Sequence, residues 1–474
     1  MSAGGCRRAP APSATPTTLR IGVGQLALDS PQAGLKQVIN GLSQEALVAP
    51  NDDGQPRPWL ADSWTTSSDG LNITIRLRER AKFHDGTNVT AEMVAQTLRK
   101  DLPQVLGPAF EDISDIAAAG PLQVRITLRR SSPFVLEALE TPVQEIGKGG
   151  VWTGPYIVTN TSTTSPELRA NADYYLGAPA ISRVTITPFP SVRTAWAELL
   201  RGNLDMLHEV NLDALDSLKG ASDVAVYSYV RHYQYMIVFN SQARSLQSSD
   251  VRRELNAVID RDAIVRDALN GHGVASTGPV SPRHWALQKD APKFELRQDL
   301  AKRLAARHLR FTCLVPADSV YERVALAVKQ QLAVASVDMT VEDATQEQVI
   351  AAMRANKFEA VLGDFVSGPT LFRLYRHWYS RIAPVPKPIA SQAVDDSLDR
   401  IRHAASDDDY RAGVSAFQQA MLDDPPAIFI AWGERARAVS KRFVVMAPDK
   451  QRDILNTLRL WRPSGDPQTT ASRN

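Results

Sequence analysis

Residues 58–94 read PWLADSWTTSSDGLNITIRLRERAKFHDGTNVTAEMV, and this segment decides the fold. Asp69-Gly70 is a turn pair, because glycine accepts a positive φ and aspartate hydrogen-bonds its own backbone. Apolar and polar side chains then alternate over residues 73–77, which is the pattern of a half-buried strand. Asp85-Gly86 forms a second turn, and Thr90 is placed to cap a helix that follows it. The residues alone therefore predict a strand, a turn and a helix of an α+β domain.

The same segment resembles the signature of the family 5 extracellular solute-binding proteins, the dipeptide, oligopeptide and nickel receptors of bacterial ABC importers. The shared pattern is LA-SW--S-DG---T--LR---KFHDG---TA--V. Shorter matches occur in the family's order over residues 19–280, at Gly41-Leu42, Glu45-Ala46-Leu47, Trp152 to Tyr156, Arg169 to Pro179, Leu200 to Asp205, Phe239-Asn240, Asp250 to Arg253 and Val258 to Arg261.

The resemblance implies a mixed α/β (α+β) protein with the bilobal periplasmic-binding-protein-like fold of the large peptide receptors. In that fold two lobes are joined by a hinge, and an extra side domain is attached. A chain of 474 residues is also too long for one hydrophobic core, since single cores stop growing near ~250–300 residues. We expect a disordered tether at 1–18, lobe I at 19–39 with 151–238 and 431–474, the side domain at 40–150 and lobe II at 239–430.

Periodic apolar patterns predict an α/β second lobe. Helices are expected over 250–268, 320–334, 346–356, 397–405 and 410–422. Strands are expected over 310–315, 338–341, 360–362 and 427–430.

Composition and motifs exclude several classes of protein. The formal charge of +2 favours neither a nucleic-acid partner nor an acidic membrane surface. No apolar run reaches the ~18 residues of a membrane-spanning helix. The sequence lacks the G-x-S-x-G, P-loop and H-E-x-x-H motifs, and its eight histidines form no i, i+4 pair. We therefore expect no enzyme, no metal site and no cofactor.

The two cysteines, Cys6 and Cys313, do not indicate a structural disulfide. Cys313 lies in a strand-like run and is interpreted as a small buried hydrophobe. Cys6 follows Ala3-Gly4-Gly5, which resembles the end of a bacterial lipoprotein signal, and we predict it as a lipid-attachment site. The basic and apolar regions of such a signal do not precede it, so we expect a missing or truncated signal peptide. The alternative is a chance cysteine in an unstructured segment.

Candidate ligand-binding residues come from two strands. The resemblance implies an acid for the ligand's α-amino group, and Asp364 best matches that position. The alternative for Asp364 is a capping residue in a Gly-Asp turn. Tyr229, Arg231, Tyr233 and Tyr235 alternate on a strand entering the predicted hinge. If that face lines the cleft, Arg231 would hold a ligand carboxylate bidentately, whereas the alternative is an interdomain or solvent-facing arginine.

Two tryptophans, Trp152 and Trp432, lie near the predicted crossings between lobes and are further candidates for ligand contact, with core packing as the alternative. The family often carries W---DY-DP in the second half. This chain instead has VLGDFVSGP at 361–369, which keeps one acid and the proline but lacks the tryptophan. Ligand class is therefore not transferred from the family.

These observations predict an extracytoplasmic receptor that closes on a short peptide or peptide-like solute and delivers it to an ABC permease. We expect a monomer that contacts the membrane only through a lipid on Cys6. The first alternative is a receptor for a metal chelate, oligosaccharide or opine. A ligand-sensing transcriptional regulator is disfavoured, because a helix-turn-helix domain needs ~60 residues before the signature.

Overall fold

A computed structural model gives the structure of the protein and describes residues 17–24, 33–145, 149–382, 389–446 and 453–465. Cys6 lies outside the described residues. The predicted mixed α/β class is confirmed. The strands are β1 Thr18–Gly24, β2 Val48–Pro50, β3 Pro56–Pro58, β4 Ala61–Thr66, β5 Asn72–Leu77, β6 Ile113–Gly120, β7 Gln123–Leu128, β8 Tyr156–Asn160, β9 Glu167–Ala170, β10 Arg183–Phe189, β11 Met206–Val210, β12 Val224–Phe239, β13 Gly273–Ala275, β14 Arg310–Pro316, β15 Asp338–Ala344, β16 Ala360–Val366, β17 Ala427–Ser440, β18 Phe443–Val444 and β19 Arg462–Pro463. The helices are α1 Ala33–Ser43, α2 Ala91–Leu106, α3 Pro133–Ala138, α4 Val192–Leu200, α5 Leu212–Lys219, α6 Ser249–Ala257, α7 Arg261–Asp267, α8 Ala301–Ala305, α9 Ser319–Val334, α10 Gln346–Arg354, α11 Leu371–Trp378, α12 Gln392–Arg402 and α13 Asp407–Asp423.

One mixed sheet of 11 strands runs through the molecule in the order β15-β14-β16-β12-β17-β11-β1-β10-β9-β8, with β13 beside β17. Its centre is the antiparallel pair β12 and β17, whose 16 and 14 residues make long strands. On one side of this pair, β14 runs parallel to β15 and β16. On the other side, β1 runs parallel to β10 and β11. The central pair therefore joins two separate parallel units.

The signature segment contributes β4 and β5 to a second sheet, of four strands in the order β4-β5-β7-β6. In β5 the apolar residues Ile73, Ile75 and Leu77 are buried, which confirms the alternating pattern. Thr90 caps α2 as predicted, because its hydroxyl accepts a hydrogen bond from the Met93 backbone N–H at 3.3 Å.

Two sequence motifs meet in space at the turn before α2. The backbone N–H of His84 donates to the carbonyl of Trp152 at 2.8 Å, and the His84 ring bonds the carbonyl of Gly154 at 3.0 Å. Gly154 also lies against Ser43, where an added Cβ would fall 2.5 Å from the Ser43 carbonyl carbon. Only glycine allows this close backbone approach. His84 therefore holds two motifs together within the fold.

The signature region shares one hydrophobic core with the helices near the end of the chain. Ile75 and Leu98 belong to the same buried cluster as Phe417 and Met421. An ion pair between Arg402 and Asp112, both at most 2% exposed, crosses this interface with Nε 2.6 Å from Oδ2. The boundaries at 150 and 239 stay a prediction, and this shared core ties the region before 150 to α11, α12 and α13.

Most predicted helices and strands of the second half are present, and one helix is wrong. Helices α9, α10 and α13 confirm the patterns, α12 overlaps the predicted 397–405 only over residues 397–402, and Cys313 is fully buried in β14. The helix predicted over 250–268 is instead α6 and α7, separated at residues 258–260. Asp260 begins α7 by accepting a hydrogen bond from Ala263 N at 2.9 Å, and Asn256 and Arg261 each bond carbonyls of β17. These contacts to the sheet outweigh the local periodicity.

Candidate functional site

A cavity of about 640 Å³ lies beside the central strand pair, within the size range of small-molecule sites. Its walls come from the hairpin of β2 and β3, the loop around Tyr174, strands β11, β12 and β17, helix α11 and the segment 453–460. The lining residues are Gln37, Ala49, Pro50, Asp52, Arg57, Pro58, Trp59, Tyr174, Leu176, Glu209, Tyr229, Val230, Arg231, His232, Tyr233, Arg373, Arg437, Asp453, Asn456, Thr457, Arg459 and Leu460. The cavity therefore collects residues that are distant in sequence.

A break in the strand pairing shapes the cavity wall. Along β12 and β17 the register shifts between Val230, which faces Glu434, and Gln234, which faces Trp432. The extra residues on β12 form a bulge, and a bulge redirects side chains that would otherwise alternate. As a result residues 231–233 all line the cavity in succession.

The structure brings two of the six predicted ligand-binding residues into the cavity wall. They are Arg231 and Tyr233, whose ring lies 3.8 Å from the Arg231 guanidinium carbon. Tyr235 is 1% exposed and packs edge-on against Tyr321, so the predicted alternation ends at the bulge.

The two predicted tryptophans lie outside the described cavity wall. Trp432 is 1% exposed within β17, which agrees with core packing. Trp152 is half-buried and binds the signature turn through its carbonyl oxygen.

Asp364 lies inside β16, opposite Tyr235, and is absent from the described lining of the cavity. Its carboxylate Oδ2 is 3.4 Å from Nη1 of Arg231 and 3.6 Å from Nη2 of Arg435. The alternative of a capping residue in a turn is wrong, because β16 continues to Val366.

A network of buried charges forms the floor of the cavity. Arg437 is 4% exposed and binds the Asp453 carboxylate through two nitrogens, with Nη2 at 2.6 Å from Oδ2, while its Nη1 contacts His208. Burial by itself raises the pKa of the neighbouring Glu209 carboxyl, but the positive fields of Arg435 and Arg231 outweigh it and lower that pKa. Glu209 is therefore ionised and balances the arginines.

An aromatic wall is held by a buried acid. Trp59 Nε1 and the Tyr174 hydroxyl each donate to Oε1 of Glu45 at 2.5 Å, and the Tyr175 hydroxyl donates at 3.0 Å. Glu45 is 2% exposed, and burial raises the pKa of its carboxyl, although the hydrogen bonds partly offset this. Because Trp59 and Tyr174 both line the cavity, Glu45 fixes the orientation of that wall.

The opposite wall carries Arg373 at the start of α11. Glu140 binds its guanidinium with two hydrogen bonds of 2.8 Å. One helical turn earlier, Glu137 accepts hydrogen bonds from Phe372 N at 2.8 Å and from the Tyr410 hydroxyl at 2.7 Å. Burial raises the pKa of Glu137 to about 7. Two acids near the end of α3 therefore set the position of a cavity arginine.

The Glu137 carboxyl makes stability depend on pH, and the variant Glu137→Gln tests this. Folding raises the pKa of Glu137 from 4.5 to about 7, so the folded state binds this proton more tightly than the unfolded state does. The stabilisation that the proton gives is therefore lost as pH rises from 4.5 to about 7. We expect the free energy of unfolding of wild type to fall by about 3 kcal/mol over this interval from this group alone. Urea unfolding at pH 4.5 and 7.5 should show that Glu137→Gln lacks this decline.

A matched control is Glu79→Gln, whose carboxylate is 70% exposed in a surface ion pair. It should follow the wild-type pH dependence within about 0.5 kcal/mol. If the free energy of unfolding of Glu137→Gln changed with pH as that of wild type does, the raised pKa of Glu137 would be contradicted.

No metal centre is evident where the structure has been described. In these ranges no group of three or more histidine, cysteine, aspartate or glutamate side chains is arranged to hold an ion. Burial, together with the positive charges of Arg373 and Arg283, lowers the pKa of the cavity residue His232 to about 4. His232 is therefore neutral at neutral pH.

Sequence reasoning missed most of the cavity. Trp59 stood inside the signature segment and Glu45 inside a family motif, so both were within reach as functional residues. Arg437, Asp453 and Arg373 carried no local signal, because they meet only through long-range packing.

Comparison with known proteins places the chain in a family. The family model described as "Bacterial extracellular solute-binding proteins, family 5 Middle" matches residues 55–380. The oligopeptide-binding protein AppA of Bacillus subtilis is 27% identical over 278 residues, which are 52% of this chain and 50% of AppA. The glutathione-binding protein GsiB of Escherichia coli K12 is 28% identical over 246 residues, 47% of each chain. The chain thus spans about half the length of the curated relatives it matches.

Solved structures show the same fold over nearly the whole chain. NikZ from Campylobacter jejuni in complex with Ni(L-His) has a TM-score of 0.80 at 20% sequence identity, covering 94% of this chain and 99% of NikZ. The likeness confirms the bilobal fold of the large peptide receptors. With a family model matching well over half of its residues, the chain belongs to the bacterial extracellular solute-binding proteins of family 5.

Proposed function

We propose that this protein is the solute-binding receptor of a bacterial ABC importer and takes a short peptide or peptide-like solute into the cavity beside β12 and β17. The observation that carries this is the cavity itself, which combines an aromatic wall, a charged floor and residues from both sides of the central strand pair. Such a site binds a small solute with a few polar anchors among apolar contacts. The relatives AppA and GsiB, named for oligopeptide and glutathione binding, support a peptide-like ligand.

The bulge at residues 231–233 lies where the two halves of the large sheet join, and we propose it as part of the hinge. Open and closed forms exchange, and a solute that contacts both walls favours the closed form. To move the population from 1:99 to 99:1, the solute must favour the closed form by ~5.5 kcal/mol. The permease then recognises the closed receptor.

The protein acts outside the cytoplasm as a monomer, with permease subunits as partners and without nucleic acid. Among the described helices, none has both the length and the apolar character needed to cross a bilayer. The remaining membrane contact in the proposal is a lipid on Cys6, which mass spectrometry of the protein from native membranes would detect.

A non-peptide solute is the second candidate, supported by the likeness to NikZ, which was solved with a nickel–histidine complex. A thermal-shift screen of the full chain separates the two. The panel contains di- to pentapeptides, amino acids, oligosaccharides, opines and nickel chelates. A solute at a hundred times its Kd stabilises the folded state by ~2.7 kcal/mol. Stabilisation by peptides supports the proposal. If only a sugar, opine or chelate raises the melting temperature, the ligand belongs to that class and not to peptides. If no compound raises the melting temperature, the receptor function is rejected.

A further inference from the structure

The acids around the cavity are already engaged with the protein's own cations. Asp453 is bound by Arg437, and Asp364 lies within 3.6 Å of nitrogens from both Arg231 and Arg435. Glu209 lies in the fields of the same arginines, and Asp52 has interactions within the protein. A ligand ammonium entering this cavity would therefore compete with an arginine for Asp453, Asp364 and Glu209.

Arg231 differs from its neighbour Arg437 in how much of its hydrogen-bonding capacity is used. A guanidinium has five N–H donors. To the residues that the structure describes, Arg231 makes one long hydrogen bond, 3.4 Å from Nη1 to Asp364, while its face stacks on Tyr233. Arg437, in contrast, uses Nε, Nη1 and Nη2 on Asp453 and His208. Arg231 is thus held in orientation by Tyr233 and Asp364 while most of its N–H donors make no hydrogen bond to the described residues.

This arrangement suits a carboxylate far better than an ammonium. A carboxylate accepts two N–H donors of one guanidinium, which gives strong charge-assisted bonds. An ammonium placed beside Arg231 and Arg435 without an available acid would be desolvated and repelled. Electrostatic complementarity therefore selects one end of a zwitterionic solute.

We propose that this cavity recognises its solute through a carboxylate bound by Arg231 and requires no ammonium, so that N-acylated amino acids and N-acylated peptides are ligands as good as free peptides. Asp364 is then a positioning residue that holds Arg231, in place of the ammonium anchor expected from the sequence. The inference rests on the proposed function, since it concerns the same cavity.

Four forms of one dipeptide test the inference on the full chain by calorimetric titration. They are alanyl-phenylalanine, its N-acetyl form, its C-terminal amide and the N-acetyl amide. Acetylation should change Kd less than threefold, whereas amidation should raise Kd at least ~30-fold. A tenfold loss on acetylation with tolerance of amidation overturns the inference but leaves a peptide receptor intact. Failure of all four forms to bind overturns the inference. The receptor function is rejected as well only if no compound of the thermal-shift screen stabilises the protein.

The variant Asp364→Asn distinguishes positioning from direct contact. If Asp364 positions Arg231, the ratio of Kd for amide over acid should fall from ~30 to below ~10, and acetylation should still have no effect. A purely structural role would change all four affinities by one factor and leave that ratio unchanged. A loss confined to the two forms with a free amine would make Asp364 the ammonium anchor and reject the proposal. The wild-type titrations decide the ligand chemistry even where Asp364→Asn does not fold.

Discussion

The substitution Arg231→Gln should raise the Kd for N-acetyl-alanyl-phenylalanine at least ~30-fold, because it removes the cation that binds the ligand carboxylate. Truncating one partner of a buried, hydrogen-bonded charge pair weakens binding by about 2–5 kcal/mol, and every 1.4 kcal/mol is a factor of ten. The same change should leave the C-terminal amide at its already weak affinity. Calorimetric titration of both ligands measures the two effects.

Two control variants make this result specific. Arg231→Lys keeps the charge but loses the planar fork, so it should recover part of the affinity and not all of it. Arg253→Gln removes an arginine from an exposed i, i+3 pair with Asp250 and should change Kd less than twofold. Equal affinity of wild type and Arg231→Gln would remove Arg231 from the ligand site.

The substitution Arg402→Met should lower the free energy of unfolding by about 3–5 kcal/mol, the typical loss when one partner of a buried ion pair is removed. Asp112 is fully buried and accepts a hydrogen bond from Nε of Arg402 at 2.6 Å, while a second nitrogen of Arg402 binds Glu111 at 2.9 Å. Without Arg402, the Asp112 charge stays in the core between the signature region and α12. Urea unfolding at neutral pH gives the change.

The control variant removes a second arginine, which contacts Asp112 from the protein surface. Arg130 lies 3.2 Å from Oδ1 of Asp112 but is 56% exposed, so Arg130→Gln should lower the free energy of unfolding by less than about 1 kcal/mol. Adding Asp112→Asn to Arg402→Met should restore part of the loss, because the carboxylate charge that has lost its buried partner is then removed. A loss of less than 1 kcal/mol for Arg402→Met would show that the pair does not hold the two regions together.

Local physics explains which parts of the fold were predictable. The strand over 73–77 and the Thr90 cap depend on residues within a few positions of each other, and both are present as predicted. The helix over 250–268 had the right periodicity, yet bonds from Asn256 and Arg261 to carbonyls of β17 divide it. Those bonds join residues more than 160 positions apart, so no local pattern reports them.

The candidate site was less predictable than the fold for the same reason. Alternation along β12 predicted Arg231, Tyr233 and Tyr235 on one face; the first two line the cavity, together with His232 between them, whereas Tyr235 is buried in the core. Bulges depend on the partner strand, here β17, and one strand's sequence does not contain that information. The resemblance gave Asp364 a ligand role from its position, while its two arginine partners became visible only in three dimensions.

A crystal structure of the full chain with N-acetyl-alanyl-phenylalanine shows whether this cavity is the solute site. We expect the ligand between Trp59 and the bulge, with its carboxylate within ~3.2 Å of Arg231 nitrogens. A ligand bound elsewhere on the protein, or in the cavity with its carboxylate turned away from Arg231, would disprove the proposed site.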